Sequence, residues 1–411
     1  MVGLALLGLV PGATLAQEPP EEVPRGATVA NRPRPDYDAA GVRAGSFLIF
    51  PDLALQEQYE SNVFATTNNE RADLITSIIP SLRVKSDWNN HSLSFLGDAT
   101  VVKYADNDAE DFVDRTFGVD GRVDILRDAR LFGGAAYRVR HEERSSPDNV
   151  AAAAEPIEYT VYSAVVGGEK EFNRLGFRLE NIFERYSYQD ATSLLGQTID
   201  QSGRDRNQLD VRLRSSYEFM PLRQVYLITG YNRRDYNRDV DAGGVDRDSH
   251  GYTVGPGFKY DLNGIVFIDL FAGVRHQNFA DPRLDSVTGV VAEGRVTWNV
   301  TRLTTITGTV TRDLRETTVA GSSAYFVTRG ELRADHELRR HVLLNAKLEY
   351  ERDDFEGIDR TDNYYVAGIG GKYLINRYLG ASGGYGYRQR DSNTGSDFVD
   401  HTFTVRLSSH F

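Results

Sequence analysis

The feature that most constrains the fold is a strict alternation of apolar and polar side chains, repeated from residue 52 to the end of the chain. Its clearest case is the stretch 208–219, where Leu209, Val211 and Leu213 alternate with Asp210, Arg212 and Arg214. A helix would place both sets on overlapping faces, whereas a strand sends them to opposite faces. The chain is therefore predicted to be all β, with one apolar and one polar face along each strand.

The alternating segments predict about 18 strands of roughly 10 to 16 residues, which is long enough for a tilted strand to cross a bilayer. The predicted strands are 52–64, 72–86, 91–104, 111–126, 130–143, 157–172, 175–188, 204–219, 224–237, 248–262, 265–279, 289–300, 303–315, 323–338, 341–354, 362–375, 378–390 and 398–411. Every second connection is a tight turn, such as 173–174 or 263–264, and those between are longer and polar. This pattern is typical of outer-membrane barrels with short periplasmic turns, and a soluble sandwich has no reason to adopt it. We predict a transmembrane antiparallel up-and-down β-barrel in an outer membrane of the Gram-negative type.

Composition removes several other classes of protein. Mean hydropathy is -0.43, and after residue 16 no apolar run approaches the roughly 20 residues that a spanning helix needs. The chain has no cysteine, which excludes disulfides and thiolate metal sites. The formal charge is -12 and the basic residues are scattered singly, so nucleic acid is not an expected partner.

The first fifty residues differ from the rest. Residues 1–16 are apolar up to Val10 and end in small residues at Ala16, which predicts a signal peptide, although no Lys or Arg precedes the apolar run. Residues 17–51 are rich in proline and charge, and we interpret them as an extended periplasmic leader. A plug of the barrel lumen is the lesser alternative, because the leader has no periodic apolar pattern. Residues 52–411 form the predicted barrel.

The charged set of each strand is expected to face inward, because a lipid-facing Arg costs roughly 2 to 4 kcal/mol at the bilayer midplane. A barrel of this strand number is wide enough for water, so the lumen should be wet. The predicted pore-lining residues are Arg138, Arg140, Arg178, Arg212, Arg214, Arg234, Arg275, Arg295, Arg329, Arg333, Arg388 and Arg390. Acidic residues are interleaved with them, so any single Arg is more simply a brace between strands than a contact for solute.

Aromatic residues carry two further expectations. Inward-facing rings could stack on the sugar rings of a glycan, or could equally pack against a folded-in loop. The candidates for glycan stacking are Tyr162, Tyr186, Tyr226 and Tyr236. The last strand ends in Phe411, which resembles the C-terminal signal that the barrel-assembly machinery recognises.

Covalent chemistry is not expected. The eight histidines are isolated, and neither a His-Glu-x-x-His spacing nor a Gly-x-Ser-x-Gly elbow occurs. We therefore predict no enzyme activity, no cofactor and no metal site. Acidic loops that bind divalent cations bridging lipopolysaccharide remain a weak alternative.

Two stretches carry a family resemblance. Residues 45–51, Gly-Ser-Phe-Leu-Ile-Phe-Pro, and residues 59–64, Tyr-Glu-Ser-Asn-Val-Phe, resemble the opening of a family of β-barrel porins whose members occur in exopolysaccharide gene clusters. The resemblance implies an outer-membrane exit for secreted polysaccharide, working with a periplasmic polysaccharide export protein. It implies no set of functional residues.

Three functions therefore stay open at this point. The first is a channel for exopolysaccharide. The second is a general diffusion porin for small solutes, which would be expected to form trimers with a constriction loop inside the lumen; loops of at most about 15 residues argue against a deep one. The third is a structural or adhesive surface barrel that conducts nothing. In each case outer-membrane lipid and lipopolysaccharide are expected partners.

Overall fold

A computed structural model describes residues 24–150, 153–241 and 243–411 as a closed antiparallel barrel of eighteen long strands. The strands are β1 (Phe47–Glu60), β2 (Asp73–Ser86), β3 (Ser92–Tyr104), β4 (Phe112–Leu126), β5 (Ala129–His141), β6 (Glu158–Phe172), β7 (Leu175–Tyr188), β8 (Arg206–Met220), β9 (Arg223–Tyr236), β10 (Ser249–Leu262), β11 (Val266–Phe279), β12 (Val287–Thr301), β13 (Thr304–Glu316), β14 (Ala324–Arg339), β15 (Val342–Phe355), β16 (Thr361–Leu374), β17 (Leu379–Ser392) and β18 (Phe398–His410). Each strand pairs with its neighbour in sequence, and β1 pairs with β18 from Asp52↔His410 to Glu60↔Thr402. Closure leaves the barrel without a free sheet edge.

The predicted fold class is confirmed, and every predicted strand overlaps an observed one. The start of the barrel differs: β1 begins at Phe47, ahead of the predicted boundary at residue 52. The reason is local, because a short strand, Val42–Ala44, folds back and pairs with Phe47–Ile49. The predicted signal peptide and residues 17–23 of the leader lie outside the described residues.

Helix contributes little to the described part of the chain. Its helical elements are two single 3-10 turns in loops, Asp108–Glu110 and Ser202–Arg204. Among the residues described, no helix has the length and apolar character needed to cross a membrane.

The outer wall is apolar and uncovered. Side chains such as Val166, Ile369 and Val405 are 64 to 68% exposed, as expected for residues that meet lipid and not a protein core. Tyrosines pair across strands on the same face near the long loops, with ring centroids 5.2 to 5.3 Å apart. These pairs are Tyr137 with Tyr162, Tyr231 with Tyr252, and Tyr350 with Tyr365. They form the aromatic level that marks the outer membrane interface.

The wall splits at one place, between β12 and β13. Their ladder ends at Ala292↔Arg312, although both strands continue toward the external loops. Beyond that point β13 and β14 still pair with each other, so their hairpin leaves the wall as a unit. Leu314 and Phe326 of this hairpin are buried in one cluster with Val287 of β12. The end of the hairpin, residues 313–327, therefore bends away from the wall toward the lumen, and we call it the inner hairpin.

A single side chain bridges this split. The Arg312 Nε donates to the Val290 carbonyl at 3.1 Å, and its Nη1 donates to the Thr328 hydroxyl. The guanidinium also lies 4.5 Å from the Phe326 ring. Arg312 thus joins β12 to β14 where the backbone ladder is missing.

Candidate channel through the barrel

The twelve arginines predicted to line a pore lie on the inward rows of their strands, opposite the exposed apolar rows. Many of them pair with acids on the same wall. Arg178 Nη1 lies 2.9 Å from Glu169, and Arg329 Nε lies 3.4 Å from Glu349. Such pairs brace neighbouring strands, and a contact between these arginines and solute stays a prediction.

The middle of the lumen carries charges that remain open to water. Arg212 lies 3.6 Å from Glu293 across the lumen, and Arg214 lies 3.9 Å from Asp269, so both separations exceed that of a direct hydrogen bond. The Glu293 side chain is 52% exposed and that of Arg333 is 43% exposed. Charges this exposed inside a membrane protein require water around them.

The inner hairpin is held in the lumen by arginines of the nearby strands β9 and β11. Arg234 of β9 lies 3.3 Å from Glu316, whose other oxygen accepts a hydrogen bond from the Tyr236 hydroxyl at 3.1 Å. Arg275 of β11 pairs with Asp313 at 2.9 Å. Arg234, Tyr236 and Arg275 therefore hold the inner hairpin in place.

The described residues of the loop between β5 and β6, 142–150 and 153–157, cross the external mouth. Near the start of this loop, Glu142 forms an ion pair at 2.6 Å with Arg204, which lies just before β8. Both side chains are at most 10% exposed. At its tip the Asp148 carboxylate accepts hydrogen bonds from Thr317 and Thr318, which follow β13 on nearly the opposite side of the barrel. These contacts lie at the external ends of the strands, so the loop covers the mouth, and the absence of a loop deep in the lumen stays a prediction.

Electrostatics reinforce this closure. Burial lowers the pKa of Arg204, but the hydrogen bonds to Glu142 together with the nearby charges of Glu142 and Asp148 and the Tyr188 hydroxyl outweigh burial and raise it. The Arg390 guanidinium donates to the Ser145 carbonyl at 3.2 Å, which ties the same loop to β17. The loop is therefore anchored to several separate parts of the wall.

The leader closes part of the periplasmic mouth. Arg34 lies 2.8 Å from Glu337 of β14, and both side chains are at most 9% exposed. The Val29 amide donates to the buried Thr305 hydroxyl at 3.0 Å. At the rim, Arg25 pairs with Asp261 at the end of β10. Residues 24–38 thus lie folded against inward side chains of β10 to β14, so the expected extended leader is wrong for this segment and the plug alternative describes it better.

The tyrosines proposed for glycan stacking are placed differently than expected. Tyr162 is 50% exposed on the lipid face beside Tyr137, because the inward row of β6 is itself apolar and the two rows resemble each other in sequence. Tyr186 and Tyr236 face the lumen, but both rings lie against Arg206, at 4.3 and 5.9 Å. The Tyr226 ring is covered by Arg214 at 3.6 Å. These four rings therefore do not form a stacking track in this state.

One side of the lumen is less crowded. The inward rows of β16 and β17 carry glycine repeatedly: Gly368, Gly370, Gly384 and Gly386. At the external end of this side lies a cavity of about 370 Å³. Its polar lining includes Gln58, Glu60, Arg388 and Asp400. These glycines place no side chains in the lumen along this wall, although the leader reaches its periplasmic end, where Arg377 donates to the Pro35 carbonyl at 3.5 Å.

A comparison with family models identifies the fold group. Residues 34–411 match the family described as "Putative beta-barrel porin 2". The chain belongs to this family. The match covers the whole barrel and supports a porin-like outer-membrane barrel, and protein families of this kind are generally not enzymes.

Several solved structures resemble this porin-family barrel, among them one titled as an outer membrane protein, OpdK. OpdK from Pseudomonas aeruginosa is 12% identical, with 88% of this chain and 99% of OpdK covered and a TM-score of 0.46. OccAB4 from Acinetobacter baumannii is 12% identical, with coverage of 88% and 98% and a TM-score of 0.46. The ferric enterobactin receptor PfeA from Pseudomonas aeruginosa is 9% identical, with coverage of 91% and 81% and a TM-score of 0.46. No curated protein sequence matches the chain significantly.

The residues that close the porin-family barrel were missed by sequence reasoning. They include Arg34, Glu142, Asp148, Arg204 and Glu337. Their pairings join segments far apart in the chain, and no local periodicity signals them. Within the residues that the structure describes, no group of three or more His, Cys, Asp or Glu side chains is arranged to hold a metal ion.

Proposed function

We propose that this porin-family barrel is a channel of the outer membrane that conducts small polar solutes. The observation that carries the proposal is a set of charged side chains in mid-lumen that remain partly exposed to water. Arg212 and Glu293, for example, face each other at 3.6 Å. A dry lumen would leave these charges without solvation, at a cost of several kcal/mol each. A hydrated and charged interior suits polar solutes and excludes apolar ones.

The two closures favour small cargo. The β5–β6 loop narrows the external end and residues 24–38 narrow the periplasmic end. Passage beside both closures, along the glycine-rich wall of β16 and β17, requires a solute that is compact in cross-section.

Exopolysaccharide export is the second candidate for the cargo. Two sequence stretches favour it, residues 45–51 and 59–64, which resemble porins of exopolysaccharide gene clusters. A glycan chain would need the leader and the loop to move aside. Residues 24–38 of the leader and the loop lie outside the barrel ladder, so both can move without opening the wall. In this proposal a periplasmic polysaccharide export protein would deliver the chain to the leader side.

Conductance separates a channel from a non-conducting surface barrel. The full chain, folded by the barrel-assembly machinery in a Gram-negative host and purified, is inserted in planar bilayers. Discrete conductance steps in potassium chloride support the channel, and uptake of sugars of increasing mass into liposomes gives its size limit. A barrel that inserts but gives no conductance step would leave an adhesive or structural role.

The cargo needs a separate experiment. Deleting the gene and measuring secreted glycan tests export directly, with the complemented strain as the control. Loss of secreted glycan with unchanged cell-associated glycan synthesis supports the exit role. Unaltered secretion removes that role and leaves the channel for small solutes in place.

A further inference from the structure

Two arginines on the lipid-facing wall stand out because they lack partners. Arg115 of β4 and Arg185 of β7 lie on outward rows near the external loops, and both are exposed. Within the part of the chain that the structure describes, neither guanidinium makes an ion pair, a hydrogen bond or a contact with an aromatic ring. An unpaired cation at the level of the lipid headgroups is stabilised by an anion supplied from the membrane.

Other outward cations at the same end of the barrel are neutralised within the protein. Lys103 lies 2.6 Å from Asp111, and Arg352 lies 2.7 Å from Asp354. Acids around the two free arginines already have partners: Glu158 accepts a hydrogen bond from Gln189, Asp205 accepts one from the Tyr188 amide, and Asp235 pairs with Arg233. The face formed by β4 to β7 is therefore locally positive, although the whole chain carries a charge of -12.

The strand register fixes how this face is arranged. One outward row runs from Phe117 through Tyr137 and Tyr162 to Arg185. The next row toward the loops runs from Arg115 through Val139 and Thr160 to Ser187. Three strand spacings of about 4.8 Å and one row of about 7 Å separate the two arginines, which gives roughly 16 Å. Arg185 thus lies on the row of the tyrosine pair, and Arg115 lies one row nearer the external loops.

The surface below the tyrosines is apolar and shallow. Ala135 and Ala164 occupy the next outward row, between Val119 and Phe183. Short side chains flanked by longer ones leave a depression at the depth of the hydrocarbon. A molecule that fits the whole face has phosphate at the interface and acyl chains beneath it.

We propose that the outer face of β4 to β7 binds a lipopolysaccharide molecule, with Arg115 and Arg185 holding the phosphates of its lipid A. The occupant follows from charge and from depth, since the face lies in the leaflet on the side of the long loops. The assignment rests on the proposed outer-membrane location and is independent of whether the barrel conducts. Arginine suits this role because its planar donors match phosphate oxygens in pairs.

The test compares the native chain with the double variant R115Q/R185Q in detergent. Diphosphoryl lipid A, the same lipid without phosphate, phosphatidylglycerol and inorganic phosphate are each added, and the midpoint of thermal unfolding is followed by circular dichroism. We expect diphosphoryl lipid A to raise the midpoint of the native chain and to raise that of the double variant by less than half as much. The variant R352Q, which removes an outward arginine from another face, should respond like the native chain.

Two further variants keep the test decisive. R115K/R185K retains both charges and should recover part of the shift. If the double variant folds poorly, each single variant is measured, and each should lose part of the shift. An equal shift in the double variant, or an equal shift with phosphate-free lipid, overturns the site. An equal shift with phosphatidylglycerol overturns the assignment to lipopolysaccharide, and an equal shift with inorganic phosphate overturns binding of a lipid.

Discussion

The leader clamp offers the sharpest test of how the periplasmic mouth is closed. In the variant Glu337→Gln the buried Arg34 loses its charged partner at 2.8 Å, and Arg32 loses a weaker one at 3.7 Å. Removing one partner of a buried ion pair costs about 3 to 5 kcal/mol. Arg34 keeps hydrogen bonds to the Val29 and Arg32 carbonyls, so we take the lower figure.

A loss of about 3 kcal/mol changes the ratio of closed to open leader on the order of 100-fold. We therefore expect the E337Q channel to show larger or more frequent conductance steps than the native channel in planar bilayers. A protease added on the periplasmic side should also cut the leader faster. The matched control is Glu331→Gln, on the same inward row of β14 but paired with Lys347 instead of the leader. Equal conductance and equal cleavage in E337Q and the native chain would refute the clamp.

Three other perturbations follow from the structure. Asp148→Ala removes three hydrogen bonds to one carboxylate, so the closed position of the external loop should lose roughly 2 kcal/mol of stability. Uptake of small solutes into liposomes should then rise, and unchanged uptake would contradict the role of the loop as a barrier. Arg312→Ala should lower the free energy of unfolding by about 1 to 2 kcal/mol because the split between β12 and β13 loses its bridge, whereas Arg352→Ala, a change at an exposed pair, should cost less. Hydrogen bonds from Arg283, first from its side chain, hold the pKa of Asp281 well below its ordinary value. The stability from this depressed pKa is present above the unfolded pKa of about 3.9 and is lost only as pH falls through the lower folded pKa. Hydrogen exchange in loop 280–286, corrected for intrinsic rates, should therefore stay constant from pH 7 to about pH 4. A loss of protection near pH 5 would contradict this prediction.

The barrel itself could be predicted because its information is local. In β8 the apolar and charged rows differ so strongly that one face alone can meet lipid. The register and strand number follow once tight turns and longer loops alternate. For such strands a single chemical contrast, repeated every two residues, decides both the fold and the side on which Arg212 and Arg214 lie.

The alternation of apolar and polar side chains failed to predict the inward face where both rows of a strand are apolar. In β6, Tyr159 and Val161 form a buried inward row beneath the external loop, and Tyr162 belongs to the lipid row. Both rows are apolar, so periodicity could not say which one faced inward. The error in Tyr162 has this physical cause.

The closures were beyond sequence reasoning for a different reason. Arg34 and Glu337 are 303 residues apart, and Asp148 and Thr317 are 169 apart. Each pairing depends on where the finished barrel places its rim. Composition could say that the leader would not fold alone, but not that the barrel would supply its partners.

Alternate side chains along one strand give the most direct test of the central claim, that one row meets lipid and the other meets water. The chain has no cysteine, so single cysteines at positions 209 to 214 of β8 can be labelled without background. A charged, membrane-impermeant thiol reagent applied to the reconstituted barrel should modify positions 210, 212 and 214, and spin labels at 209, 211 and 213 should collide with oxygen dissolved in the lipid. Equal modification at all six positions, or water exposure at the odd ones, would contradict the account.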